Sequence, residues 1–242
     1  MRGLALLQGV IVSISHGDFS LKTEIEKIIV KAEETLQTAK YGFDDLVSKE
    51  RQRRLSAIRN IVVFGRSVTF VLQNLKTPVG DQKFNEWYEP LQEQMKADVL
   101  MKYFVTLRNE ILKQGKLPLR TSASPTMQTS DISKLGKQPP GAKGFFIGDQ
   151  LGGSGWEIEL PDGTKEKYYV ELPERMASVN QYFSELPVPE DDELKLKPIE
   201  QLCSYYLTEL ERILDSAREA FLGNKAEKIR ERRLPPYMRI VK

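Results

Sequence analysis

Along the first half of the chain, apolar residues recur every three or four positions, the period of a helix with one buried side. From Ser20 to Tyr41 the stripe is Leu21, Ile25, Ile28, Ile29, Ala32 and Leu36, with Ser20 placed to cap a helix and Gly42 to end it. A second helix is predicted from about Ser48 to Leu75, with Leu55, Ile58, Val62, Val68, Val71, Leu72 and Leu75 among its apolar positions. Several are β-branched, but the run is too long for a strand. Thr77-Pro78-Val79-Gly80-Asp81 reads as a turn. A third helix follows from near Gln82, with Phe84, Trp87, Tyr88, Leu91 and Met95 on one side and Pro90 inside it. Asp98 either caps a separate fourth helix or lies within a continuation to Gly115.

The pattern then changes. Lys116 to Gly144 is rich in Pro, Ser, Thr, Gly and Lys without apolar periodicity, and reads as a loop or linker. Phe145-Phe146-Ile147 is a short apolar run, and Trp156 to Leu160 alternates with period two. Pro161-Asp162-Gly163-Thr164 is a hairpin signal, with Lys167 to Leu172 as the returning strand. Pro187 to Pro198 reads as a second loop, and its acidic knot Glu190 to Glu193 lacks the spacing of a calcium loop. A long amphipathic helix runs from Ile199 to near Gly223, followed by a basic tail from Lys225 to Lys242. The expected fold is mainly α: an antiparallel helical bundle with a small antiparallel β insertion. Its expected divisions are a bundle over 1–115, a linker over 116–144, a β-hairpin insertion and loop over 145–198, and a helix plus tail over 199–242 packing on the bundle.

Charge adds little to this picture, because 36 Lys and Arg nearly balance 34 Asp and Glu. Any case for nucleic acid rests on local clusters. The lone cysteine, Cys203, excludes an intramolecular disulfide and a Cys-rich zinc site, and lies in the apolar pattern of the last helix. The single histidine, His16, has no triad or metal-site partners near it in sequence, so neither a metal nor a cofactor is expected. Gly152-Gly153-Ser154-Gly155 lacks the Lys-Ser/Thr ending of a phosphate loop and reads as a flexible turn. Arg2, Leu4 to Leu7 and Val10 to Val12 resemble a signal peptide, but Gln8-Gly9 interrupts the run and no small-x-small site follows. That segment is expected to pack on the protein's own core, in a cytoplasmic protein with no membrane partner.

Three basic features remain as candidate chemistry. At roughly 100° per residue, Leu100, Phe104, Leu107 and Ile111 share one arc, with Arg108 in its middle and Asn109 at its edge. A guanidinium there needs a specific partner, either a phosphate held bidentately or a buried acid from another helix. On the second helix, Arg51, Arg54, Arg59 and Arg66 span an arc of roughly 140° together with Leu55, Ile58 and Val62, while Arg53 points away. They either attract phosphate near a groove or snorkel with intrahelical ion pairs. The tail supplies Arg230, Arg232 and Arg233, which suit nucleic acid, an acidic partner or a neighbouring subunit.

The helical order and the string Leu107-Arg108-Asn109-Glu110-Ile111 resemble the HEPN superfamily (higher eukaryotes and prokaryotes nucleotide-binding). The resemblance covers roughly Ser20 to Gly115 and extends to the helix from Ile199. It implies a HEPN-like bundle that forms a homodimer. In active members an Arg, a polar residue that is often Asn, and a His from two subunits converge and cleave RNA without metal. Here the histidine's place falls at Lys113, Gln114 or Gly115. A lysine of ordinary pKa is a poor general base, although it stabilises developing negative charge. The resemblance therefore implies a catalytic set of Arg108, Asn109 and Lys113 at most, with RNA contacts from the helix-two and tail arginines. The function expected is a non-catalytic or weakly catalytic RNA- or nucleotide-associated or assembly module, in a prokaryotic defence or toxin–antitoxin setting. The alternatives are a metal-independent endoribonuclease using Arg108, and a scaffold binding another protein without nucleic acid.

Overall fold

The periodic stretches fold as helices in the computed structural model, which describes residues 16–126, 138–173 and 175–223. Helix α1 spans His16–Val47 and runs through Gly42, which the sequence placed at its end. A Cβ at Gly42 would lie 2.9 Å from the Ala57 carbonyl oxygen and 3.0 Å from Asn60 Cβ. The glycine therefore serves the close approach of α1 to the next helix, not a helix stop. That helix, α2, spans Arg54–Gln73 after a 3₁₀ turn at Arg51–Arg53. A single turn, α3 (Lys76–Val79), stands where the Thr77 to Asp81 turn is expected. Helix α4 (Asp81–Ala97) runs through Pro90.

Asp98 resolves the open choice at the next boundary. Its carboxylate accepts from the Leu100 and Met101 amides at 2.8 and 2.9 Å, which starts α5 (Val99–Gln114) as a separate helix. Helix α6 spans Ile199–Leu222 and ends at Gly223, as its periodicity predicts. Helix α1 packs along α2, and α6 packs against both. Helices α2 and α5 run antiparallel: Arg59, early in α2, reaches the Gly115 carbonyl past the end of α5, and Phe70, late in α2, meets Arg108. Between α5 and α6 the rings of Phe104 and Tyr206 stack at 4.1 Å. By length and composition alone, Arg51–Val79 is apolar enough to cross a membrane; the apolar side of α2 lies in the core, with Ile58, Ile61, Val62, Val68 and Leu72 buried.

The strands form two small antiparallel sheets. The expected hairpin is present as β3 (Ser154–Glu159) and β4 (Lys165–Val170), with β2 (Ala142–Ile147) on the other side of β3. The linker reading of 116–144 needs correction, because Leu119–Pro125 is strand β1, paired along its whole length with β5 (Ala177–Phe183). Every backbone partner of β1 lies far along the chain, so local composition carries no trace of it. Phe183 joins this ribbon to the helices, 5.8 Å from Phe104 between ring centres. The acidic knot ends in a 3₁₀ turn, Glu193–Leu196, capped by Asp192. The apolar N-terminal segment and the tail with Arg230, Arg232 and Arg233 lie outside the described residues.

Candidate functional site

The fold separates the helix-two arginines that share one arc on paper. Arg54 is buried: it donates to the Leu46 carbonyl at 2.9 Å, to Gln181 Oε1, and to Glu200 in an ion pair. Its donors are taken by the protein itself, so the expectation that Arg54 contacts nucleic acid is corrected. Arg53 pairs with Asp45 and Glu50 at the surface. Arg51 turns the other way, into a cleft beside the strands.

Arg59 and Arg66 instead lie along the side of α2 that faces α5. Antiparallel packing places Arg59 at the Gly115 carbonyl, 3.4 Å away. Seven residues on, Arg66 lies beside Phe70, its guanidinium carbon 4.2 Å from the ring centre. Arg108 approaches the same ring from α5 at 5.6 Å. Its Nη1 donates to Asn109 Oδ1 at 3.1 Å, while its Nε is buried without a hydrogen-bond partner. Among the described residues, no carboxylate pairs with Arg59, Arg66 or Arg108, so the alternative of a buried acid for Arg108 finds no counterpart. Phe70 itself is 42 % exposed, and Val105 and Leu112 of α5 are exposed as well. Lys113, one helical turn beyond Asn109, is exposed and makes no ion pair among the described residues.

This face therefore presents an aromatic ring edged by two guanidinium groups that carry no counter-charge among the described residues. Arginine attracts phosphate and packs on aromatic or base planes, and an exposed ring offers a stacking surface. The arc of apolar residues around Arg108 is legible in the sequence. The partnership with Phe70 is not, because Phe70 belongs to another helix.

The cleft is the second feature, and no local pattern in the sequence marks it. It has a volume of about 1230 Å³ and lies between residues 47–51, 152–154, 169–173 and 177–180. Next to its lining, a Cβ at Gly155 would collide with the Tyr168 carbonyl of the neighbouring strand. The glycine run read as a flexible turn thus allows close strand packing. Asp149 braces this region. It accepts from the Leu151 and Gly153 amides at 2.9 and 3.0 Å, from Lys167 at 2.8 Å and from the Tyr169 hydroxyl at 2.7 Å. Burial alone raises its pKa, but these bonds outweigh burial and hold the carboxyl below the usual range. A depressed pKa contributes stability that is present above the unfolded value of about 3.9 and is lost as pH falls toward the folded value. Asp149→Asn is expected to lower the thermal midpoint at pH 7, with the gap to wild type closing in melts below about pH 4. A constant gap down to that pH would assign the effect to packing.

Two other expectations concern residues that sit in the core. Cys203 is fully buried, and burial pushes its thiol pKa up, away from thiolate chemistry. Tyr88 is buried, and Trp87 packs edge-on to Phe221 and donates to Ser216.

Taken together, the molecule is a mainly helical protein with two small antiparallel sheets and an arginine-edged aromatic face between α2 and α5. The family described as bacteriophage lambda protein ea47 is similar to it over residues 29–144, just under half of the chain. That stretch runs from α1 into β2 and includes Arg51, Arg66, Phe70, Arg108, Asn109 and Lys113. No curated protein and no solved structure matches the chain.

Proposed function

We propose that this protein is a HEPN-like, RNA- or nucleotide-associated module that binds without cleaving, as a cytoplasmic homodimer in a prokaryotic defence or toxin–antitoxin setting. On this reading α1, α2, α5 and α6 are the antiparallel bundle, and the α2–α5 face carries the nucleic acid. The observation that supports it is the convergence of Arg66 and Arg108 on exposed Phe70, with Asn109 accepting from Arg108 and no acidic partner among the described residues. Guanidinium groups beside a ring suit a base stacked on Phe70 with its phosphate on the arginines. Binding is favoured over cleavage because Lys113 replaces the imidazole that proton transfer at neutral pH calls for.

Fluorescence anisotropy with a labelled single-stranded RNA tests this reading. Binding is expected at low salt and should weaken steeply as salt rises. The double substitution R66A/R108A should flatten the salt slope by about 1.4, since each phosphate contact on a single strand contributes about 0.7. Phe70→Ala should weaken binding by roughly five- to a hundredfold, the worth of one stacked base. Absence of binding at low salt, or binding indifferent to R66A/R108A, would remove the proposal. Cleavage in EDTA that disappears in Arg108→Ala would favour the ribonuclease alternative.

A further inference from the structure

The cleft beside β5 has a property that the helical face lacks, an unpaired strand edge. The Thr126 N–H bonds the Met176 carbonyl at 2.9 Å, and the Ser184 N–H bonds the Pro118 carbonyl at 3.0 Å. These close the two ends of the β1–β5 ladder. Bonds alternate along an antiparallel pair, so Ser178, Asn180 and Tyr182 of β5 bond to β1. Ala177, Val179 and Gln181 turn their N–H and C=O groups to the opposite edge. Two details agree with this assignment. Pro125, which has no N–H to give, stands opposite Ala177 at a position that needs none, and the Ala177 N–H leaves the ladder for the Pro173 carbonyl at 3.4 Å.

Beyond that bond the outer edge is open. β5 has no second strand neighbour, and Val179, which lines the cleft, finds no partner for its N–H or C=O among the described residues. Unpaired strand edges in folded proteins are normally covered or blunted by charge. Here the edge faces a slot whose far wall is the extended segment 169–173. Of the two cations at the slot, Lys49 pairs with Glu171 at 2.8 Å. The Arg51 guanidinium makes neither an ion pair nor a side-chain hydrogen bond among the described residues, although its backbone N–H bonds the Lys49 carbonyl at 3.0 Å. Burial and neighbouring Arg54 push its pKa down, outweighing the more distant carboxylates of Glu200, Glu171 and Asp149, which act the other way.

We propose that the outer edge of β5 accepts an extended peptide as a third strand, with Arg51 holding an acidic side chain of that peptide. Alternating free donors and acceptors are complementary to another extended backbone. An unpaired guanidinium in a half-buried slot selects a carboxylate. The edge from Ala177 to Asn180 matches about four residues at roughly 3.3 Å each. RNA fits this slot less well, since among the described residues Arg51 is its one cation without an ion pair and the Glu171 carboxylate also lines it.

The test uses the full chain and fluorescein-labelled pentapeptides of alternating valine and threonine, with glutamate at each position in turn, and a matched set carrying lysine. Anisotropy should show saturable binding for at least one glutamate peptide, at least tenfold tighter than its lysine counterpart. Arg51→Gln should reduce the glutamate peptide to the lysine level. Val179→Pro removes the outward N–H without removing a β1–β5 ladder bond and should abolish binding while the melt is retained. Hydrogen exchange should slow at the Val179 amide when the peptide saturates. No binding at millimolar peptide, equal binding of the two sets, or an unprotected Val179 amide at saturation overturns the proposal, whether or not the proline variant folds. Displacement of the peptide by oligouridylate with loss of that protection overturns it too, and assigns the slot to RNA.

Discussion

Replacing Arg54 with alanine is expected to lower the thermal midpoint by roughly 10 °C, measured by circular dichroism at neutral pH. One buried side chain here ties three elements together. Its hydrogen bonds reach the Leu46 carbonyl near the end of α1, Gln181 in β5 and Glu200 in the first turn of α6. Alanine would leave the Leu46 carbonyl and Gln181 Oε1 without that donor, at about 1–3 kcal/mol for each buried group. Glu200, being partly exposed, can turn to water and adds less. The sum, about 3–4 kcal/mol, corresponds to roughly 10 °C at this chain length. Glu200→Gln provides the contrast, because its amide oxygen still accepts from Arg54 and the expected loss is within about 1 kcal/mol. A midpoint for Arg54→Ala within about 2 °C of wild type would mean that water or a neighbour replaces all three bonds.

Arg54 also shows where sequence reading succeeds and where it stops. The helical wheel correctly places it near the buried side of α2, but groups it with Arg51, Arg59 and Arg66. Their fates are set by what packs against α2 at each level: strands and α6 at its start, α5 further along. Features that act within a turn or a hairpin are legible locally. The end of α6 at Gly223 and the β3–β4 hairpin around Asp162-Gly163 are of this kind, while the Asp98 cap is one of two readings that the sequence leaves open. Features that depend on a distant partner are not. Gly42 looks like a stop because glycine breaks isolated helices, yet its lack of a side chain lets α1 approach α2. Strand β1 looks like a linker because Arg120 to Ser124 is polar and lacks any alternation, and only β5 makes it a strand. The candidate sites follow the same division. Arg108-Asn109 is visible as a polar intrusion, while Phe70 beside it and the open edge of β5 exist only in three dimensions.

Phe104→Ala and Phe70→Ala are expected to act in opposite ways, although the two rings lie on helices that pack together. Phe104 is fully buried, stacked on Tyr206 and edge-on to Phe183. Tyr206 is wedged so closely against Gly65 that a Cβ there would lie 2.5 Å from its ring. Removing Phe104 strips one face from that ring and opens a cavity among α5, α6 and β5. The expected cost is about 3–5 kcal/mol, or roughly 10 °C in the midpoint. Phe70 is 42 % exposed, so its loss should cost no more than about 1 kcal/mol, including its contacts with Arg66 and Arg108. RNA affinity measured well below both transitions should follow the reverse order. Phe104→Ala leaves Arg66, Phe70 and Arg108 in place and should bind as wild type, whereas Phe70→Ala should bind weakly. Equal loss of affinity in the two variants at low temperature would show that the α2–α5 face cannot be separated from the core beneath it. The RNA-binding proposal would then lose its site.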